Sequence, residues 1–305
     1  MGGSSSTILE ASQKKLLHFK TNFVYLQKFR DPRLTELSLY EEKATRSLCA
    51  EIIFPFESAE KDDLRKELSL SLSLQHKHLL KCVGYIVEKE EGYCGDRNVI
   101  KAYLEWYEHD LDQEIFDRKK IKLFFDEREL TYILESLIEV GIFLQENELY
   151  HGNLTTMNVF LTPEGRVKIA DNGLFSDENS CYQKAWKGNK QVYLSPELME
   201  GLKQNIATPN YNVYKTDVFT IGLMMLHAGT LENPIQAFDY SKYKIDQIIL
   251  KRMIAAMDAR YSRKFIAGIV VLLNFDSSKR PDFIMIRDIF ASTVPKYENK
   301  NLEVL

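Results

Sequence analysis

The chain has 305 residues, 45% of them apolar and 11% aromatic, which suffices for one large domain or two lobes around a sizeable core. A net charge of −4 argues against a nucleic-acid binder, which would carry a basic excess. No apolar run approaches the roughly 20 residues of a membrane-spanning helix, and Met1 to Ser6 lacks the apolar core of a secretory signal.

Residues 1–15 read as a tail. Met1-Gly2-Gly3-Ser4-Ser5-Ser6 fits the N-myristoylation pattern at Gly2, with a plain Gly/Ser terminus as the alternative. One acyl chain binds membranes only marginally, and Lys14, Lys15 and Lys20 make a weak second signal. From residue 16 the folded part begins. Thr35 to Tyr40 and Ser47 to Phe54 read as strands, Asp62 to Leu74 as a helix with a wide leucine face, and Val83 to Glu88 and Val99 to Glu105 as two further strands.

From Leu111 the pattern turns helical. Glu127 to Asn147 has helical periodicity, Val159 to Leu161 and Val167 to Ile169 are short strands around the turn at Thr162 to Gly165, and four more helices are predicted. These cover Asp217 to Leu226, Lys244 to Met257, Arg263 to Leu273 and Phe283 to Ala291. A β-rich lobe followed by a helical one is an α+β architecture. Cys49, Cys82, Cys94 and Cys181 have no metal-ligand spacing and read as reduced structural thiols; His76 and His78 read as a surface turn.

The most informative stretch is His151-Gly152-Asn153-Leu154-Thr155-Thr156-Met157-Asn158, followed by Asp171-Asn172-Gly173. It has the layout of a catalytic loop and a metal-binding turn, and it resembles the protein kinase family. Further landmarks follow in order. Glu67 stands where the family has the glutamate of its N-lobe helix. Ala102-Tyr103-Leu104-Glu105-Trp106-Tyr107 is similar to the strand and hinge that dock adenine, with Leu104 as gatekeeper. Tyr193 to Glu197 resembles the Ala-Pro-Glu motif, Tyr214 to Gly222 the start of the family's F helix with Asp217, and Phe275 to Pro281 the segment of the late arginine. The resemblance covers about residues 20 to 295. It implies a bilobal fold, with an N-lobe of one helix over about 16–105 and a larger helical C-lobe over about 108–295. It also implies a structural His151 and a buried ion pair between Glu197 and Arg280.

The same resemblance exposes departures. The family's proton acceptor is Asn153, an amide with no basic oxygen; its neighbouring arginine is Gly152 and its loop lysine Thr155. No glycine occurs between Gly3 and Gly84, so no Gly-rich loop covers phosphates. The third-strand lysine is replaced by Glu51 or Ile52, depending on a one-residue shift. Asn158 and Asp171 survive as the implied metal ligands. Leu104, Glu105, Tyr107 and Glu67 remain as vestiges of the nucleotide site.

These losses lead to the expectation of a pseudokinase that is not an enzyme. It would work as a protein-binding scaffold, an allosteric regulator or a structural subunit of a larger assembly. The alternative is an atypical weak Ser/Thr protein kinase or a nucleotide-sensing ATP-binding protein. No cofactor is expected, with ATP and Mg²⁺ weak at best. The expected partners are other proteins, with no nucleic acid, and a membrane only if Gly2 is acylated. An intracellular, cytoplasmic address is expected, with membrane-associated or cytoskeletal and ciliary addresses as alternatives. The activation segment, Leu174 to Val192, contains Ser176, Ser180, Tyr182 and Lys187, whose modification is one alternative, and Trp186 and Tyr193 read as packing the segment down. Residues 296–305 read as a tail.

Overall fold

Alternating apolar residues build an antiparallel five-stranded sheet in the order β1-β2-β3-β5-β4. Its strands are β1 (Phe23–Phe29), β2 (Leu37–Glu42), β3 (Leu48–Pro55), β4 (Cys82–Glu90) and β5 (Arg97–Trp106). The structure is a computed structural model and describes residues 21–29, 37–56, 68–90, 97–170, 180–189 and 191–293.

The strand register decides which side chains share a face, because directly opposed residues point the same way. Leu39 opposes Ala50 and Ala50 opposes Leu104; Leu37 opposes Ile52 and Ile52 opposes Ala102. These six form one apolar face. Tyr40, Cys49, Glu51 and Tyr103 lie on the other, where Cys49, Ile86 and Tyr103 make a small buried cluster. Of the helix predicted from Asp62, residues 68–73 are helical with Leu68 buried; residues 57–67 lie outside the described part.

The helical part contains α1 (Leu111–Ile121), α2 (Glu127–Glu146), α3 (Cys181–Trp186), α4 (Pro196–Lys203), α5 (Val213–Thr230), α6 (Gln247–Met257), α7 (Arg263–Leu272) and α8 (Phe283–Thr293). Between them run the hairpins β6 (Val159–Leu161) with β7 (Val167–Ile169), and β8 (Phe238–Asp239) with β9 (Lys244–Ile245). Helix α2 starts at a capping box: the Asp126 side chain accepts from Glu129 N, and the Glu129 side chain accepts from Asp126 N. Helix α5 is buried on every side from Thr216 to Gly229, which makes it the post around which the other helices pack. The helix predicted from Lys244 begins three residues later, because Lys244 and Ile245 pair with β8 and the Asp246 carboxylate caps Ile248 N and Ile249 N.

The chain divides into two compact units, Met1–Gln75 with Leu80–Glu108, and His76–Leu79 with His109–Leu305. The first is an antiparallel sheet and the second is mainly helical, so the α+β reading holds. His76–Leu79 joins the helical unit through bonds to β7: Ile169 N donates to His78 O at 2.7 Å, and the His78 ring bonds Val167 O at 2.8 Å. The surface turn expected there is thus corrected: His78 is buried, and His76 stacks on Phe143 at 5.1 Å.

One ion pair ties the helical unit together. Arg280, fully buried, donates from Nη1 to Glu197 Oε1 at 2.7 Å and from Nη2 to Glu197 Oε2 at 3.1 Å. Its Nε donates to Asn274 O at 2.8 Å and its Nη1 also to Lys215 O at 2.9 Å, while the guanidinium lies over the Phe219 ring. A planar fork facing a carboxylate suits this bidentate geometry. Removing one member leaves the other charge buried and uncompensated. Glu197→Ala is therefore expected to lower unfolding free energy by about 3–5 kcal/mol in chemical denaturation. A loss under about 1 kcal/mol, typical of an exposed pair, would contradict this.

Candidate functional site

The candidate site is the loop from His151 to Asn158, and helix α5 builds it from below. Asp217 sits in the first turns of α5, buried, with its carboxylate turned onto the loop backbone. Oδ2 accepts from His151 N at 2.9 Å, and Oδ1 accepts from Gly152 N at 2.9 Å. Burial pushes the Asp217 carboxyl up to about 7, against the pull of the two amides.

His151 braces the far side. Its Nε2 bonds Ala170 O at 2.7 Å, and Asn153 N donates to Nδ1 at 3.2 Å, so the proton belongs on Nε2. Gly152 has a left-handed backbone with φ of 69°, and a Cβ there would meet a Tyr150 ring carbon at 2.8 Å. An arginine in this conformation would carry backbone strain and push the Tyr150 ring aside. Asn158 ends a short 3-10 turn, donates from Nδ2 to Asn153 O at 2.8 Å, and accepts Ala170 N on its backbone oxygen at 2.9 Å. Thr156 Oγ1 donates to Asp112 Oδ1 at 2.6 Å, pinning the loop to α1. Thr155 precedes this turn with extended backbone.

Asn153, at the proton-acceptor position, is buried. Its Oδ1 accepts from Cys181 Sγ at 3.4 Å, and Cys181 N donates to Gly152 O at 2.7 Å. Burial pushes the Cys181 thiol up to about 12, so the sulfur keeps its proton and acts as a donor. Helix α3, capped by Ser180, therefore lies against the loop. No spacing in the sequence announces the pair of residues 153 and 181; only the fold brings them together. Ser180 and Tyr182 are both buried, the first as a cap and the second bonded to Ile206 O, so neither presents a free hydroxyl for modification. Trp186 stacks on Tyr182, and Tyr193 donates to Asn233 Oδ1 at 3.0 Å.

In the sheet unit, Ile52 shares the face of Ala50 and Leu104, whereas Glu51 points the other way. Glu51 Oε2 accepts from Tyr103 Oη at 2.8 Å and Tyr40 Oη at 3.4 Å, and burial together with this carboxylate raises Tyr40 to about 12. Of the two candidates for the third-strand lysine position, Ile52 is thus the one on the face of Ala50 and Leu104, and Glu51 is on the opposite face. At the hinge, Glu105 accepts from Tyr107 Oη at 2.6 Å and from Lys81 N at 3.1 Å. Glu67, Asp171, Asn172, Gly173, Ser176, Gly2 and the tail from 296 lie outside the described residues. Among the described residues no three His, Cys, Asp or Glu side chains form a metal cluster, and no helix is long and apolar enough to cross a membrane.

The protein kinase domain model matches residues 39–291, and the chain belongs to that family. It is similar to the serine/threonine-protein kinase Nek9 of Mus musculus, 24% identical over 73% of this chain and 21% of that protein. It is also similar to Nek2 of Homo sapiens, 24% identical over 80% of this chain and 54% of that kinase. A third relative is the kinase SSN3 of Kluyveromyces lactis, 32% identical over 45% of this chain and 23% of that one. The chain thus spans between a fifth and about half of these relatives' lengths. The expectation of a non-enzyme is overturned here, because these relatives are named serine/threonine kinases and the match covers most of the chain.

Asp217 gives this loop a pH dependence. Its carboxyl is raised on folding, so its stabilising effect is full below about pH 4 and fades as pH rises toward 7. Asp217→Asn cannot titrate. The stability of the native chain minus that of Asp217→Asn is expected to shrink between pH 4 and 7 in urea unfolding. A difference that grows with pH would contradict the sign.

Proposed function

We propose that this chain is an atypical serine/threonine protein kinase of low intrinsic turnover. The observation that carries the reading is the loop itself: Asp217, His151 and Asn158 hold its backbone in place, while Asn153 stands at the proton-acceptor position, flanked by Gly152 and Thr155 where the family has arginine and lysine. ATP with Mg²⁺ would supply the phosphoryl group. Asn158 spends its Nδ2 on Asn153 O, which turns its Oδ1 into the oxygen available to magnesium. With one such donor among the described residues, the grip on Mg²⁺–ATP is weak.

Asn153 Oδ1 can orient an acceptor hydroxyl by accepting its hydrogen bond, but it cannot keep the proton at neutral pH. Phosphoryl transfer passes through a loose transition state, so positioning carries much of the rate and a missing base slows the step without forbidding it. Cys181 already donates to this oxygen, which leaves one lone pair for the hydroxyl.

A second reading, a protein-binding scaffold or allosteric regulator on the same fold, draws on the same contact: a protein partner that lifts α3 would remove the Cys181 donor and expose Asn153. Radiolabelled phosphate transfer to a mixed Ser/Thr peptide decides between the readings. The native chain is expected to give slow transfer that Asn158→Ala abolishes. Asn153→Asp is expected to raise it about 10²- to 10⁴-fold, the usual worth of a general base. No transfer from either the native chain or Asn153→Asp, in protein that unfolds cooperatively, would overturn the kinase reading and leave the regulator.

A further inference from the structure

Helix α3 carries a cation that no carboxylate answers. Lys184 is half-buried, and among the described residues its ammonium makes no ion pair and no hydrogen bond. Burial pulls it below the usual lysine range, and no carboxylate opposes that shift. A cation withdrawn from water without an anion costs stability. The last turn of a helix favours a positive charge, which explains the sign of Lys184 but not its burial.

The rest of α3 fixes where Lys184 stands. Tyr182 bonds Ile206 O, Gln183 Nε2 donates to Ala207 O at 2.9 Å, and Trp186 stacks on Tyr182. Cys181 and Lys184 share another flank, because residues three apart on a helix are neighbours with Cβ atoms about 5–6 Å apart. The two groups also perturb each other's ionisation. Cys181 Sγ lies 3.4 Å from Asn153 Oδ1, so this flank faces the acceptor position. The loop has no fixed cation of its own: no lysine or arginine occurs from His151 to Asn158. Asp217 beneath it has both carboxylate oxygens on loop amides.

We propose that Lys184 binds the terminal phosphate of ATP beside Asn153. The inference rests on the kinase reading for its ligand. A hydroxyl held at Asn153 reacts only with a phosphorus roughly 3–3.5 Å away, which brings the γ-phosphate within reach of a long side chain on the flank next to Cys181. An ammonium on a flexible four-carbon stem suits a phosphate as a mobile point charge. ADP lacks the group that this contact would hold.

Calorimetric titration of the full chain with ATP and with ADP, each with Mg²⁺, tests the contact. The native chain is expected to bind ATP about tenfold more tightly than ADP, the worth of one hydrogen bond to a charged group. Lys184→Gln should bring ATP down to the affinity of ADP and leave ADP unchanged. It should also hold or raise the thermal midpoint without nucleotide, since it removes an unpaired, half-buried charge. Lys184→Arg should restore the preference for ATP. The proposal is overturned by a native chain with no preference for ATP, by the same preference in Lys184→Gln, or by equal weakening of both nucleotides. Radiolabelled transfer reports separately on the kinase reading. No transfer with a Lys184-dependent preference for ATP sinks that reading and leaves the contact standing; transfer with the preference unchanged in Lys184→Gln sinks the contact alone.

Discussion

A single buried carboxylate sets the geometry on which the candidate site depends. Asp217 points from the most buried helix of the chain into the backbone of the loop and takes the amides of His151 and Gly152. An unpaired loop amide in that position would carry the full cost of desolvation, so the loop and the helix are fixed together. His151 then extends the bracing to Ala170, and Asn158 extends it to Asn153. Each bond in this chain uses backbone on one side, which makes it tolerant of side-chain change elsewhere. That tolerance explains how a loop can keep its shape while the residue at its centre becomes an amide.

The shape and the chemistry have therefore diverged. The frame is that of a phosphoryl-transfer loop, and the chain belongs to the protein kinase family. At its centre, Asn153 offers an oxygen that accepts hydrogen bonds but no longer a proton, and Cys181 donates to it. Gly152 shows the same logic. Its left-handed backbone brings the loop close to Tyr150, where a larger residue would collide. The loss of the family's arginine is thus tied to a backbone conformation as well as to a missing charge.

Much of the fold was legible because it rests on periodicity and on ordered motifs. The β6–β7 hairpin and helix α2 follow from alternation and from an apolar stripe that begins at an acidic cap. The pair between Glu197 and Arg280 was legible only through the family resemblance, since 83 residues of sequence separate its members. Other features were not legible, for a physical reason in each case. Choosing between Glu51 and Ile52 needed the strand register, because a one-residue slip exchanges the faces. The burial of Ser180 and Tyr182 depends on where α3 settles, and a six-residue helix has too short a pattern to announce itself. The missing side chains taken one at a time point to a non-enzyme, whereas the relatives over most of the chain are named as kinases.

The loop keeps its backbone frame although Asn153 has replaced its proton acceptor, and the residues bracing that frame supply no substitute base. The pH dependence of phosphoryl transfer by the native chain under saturating peptide tests it most directly. With Asn153 at the centre, no side chain need lose a proton before the step, and the rate should stay flat across the acidic range in which a carboxylate or imidazole base titrates. A rate that climbs through a single ionisation to a plateau would show another group taking the acceptor's proton, and would contradict the account.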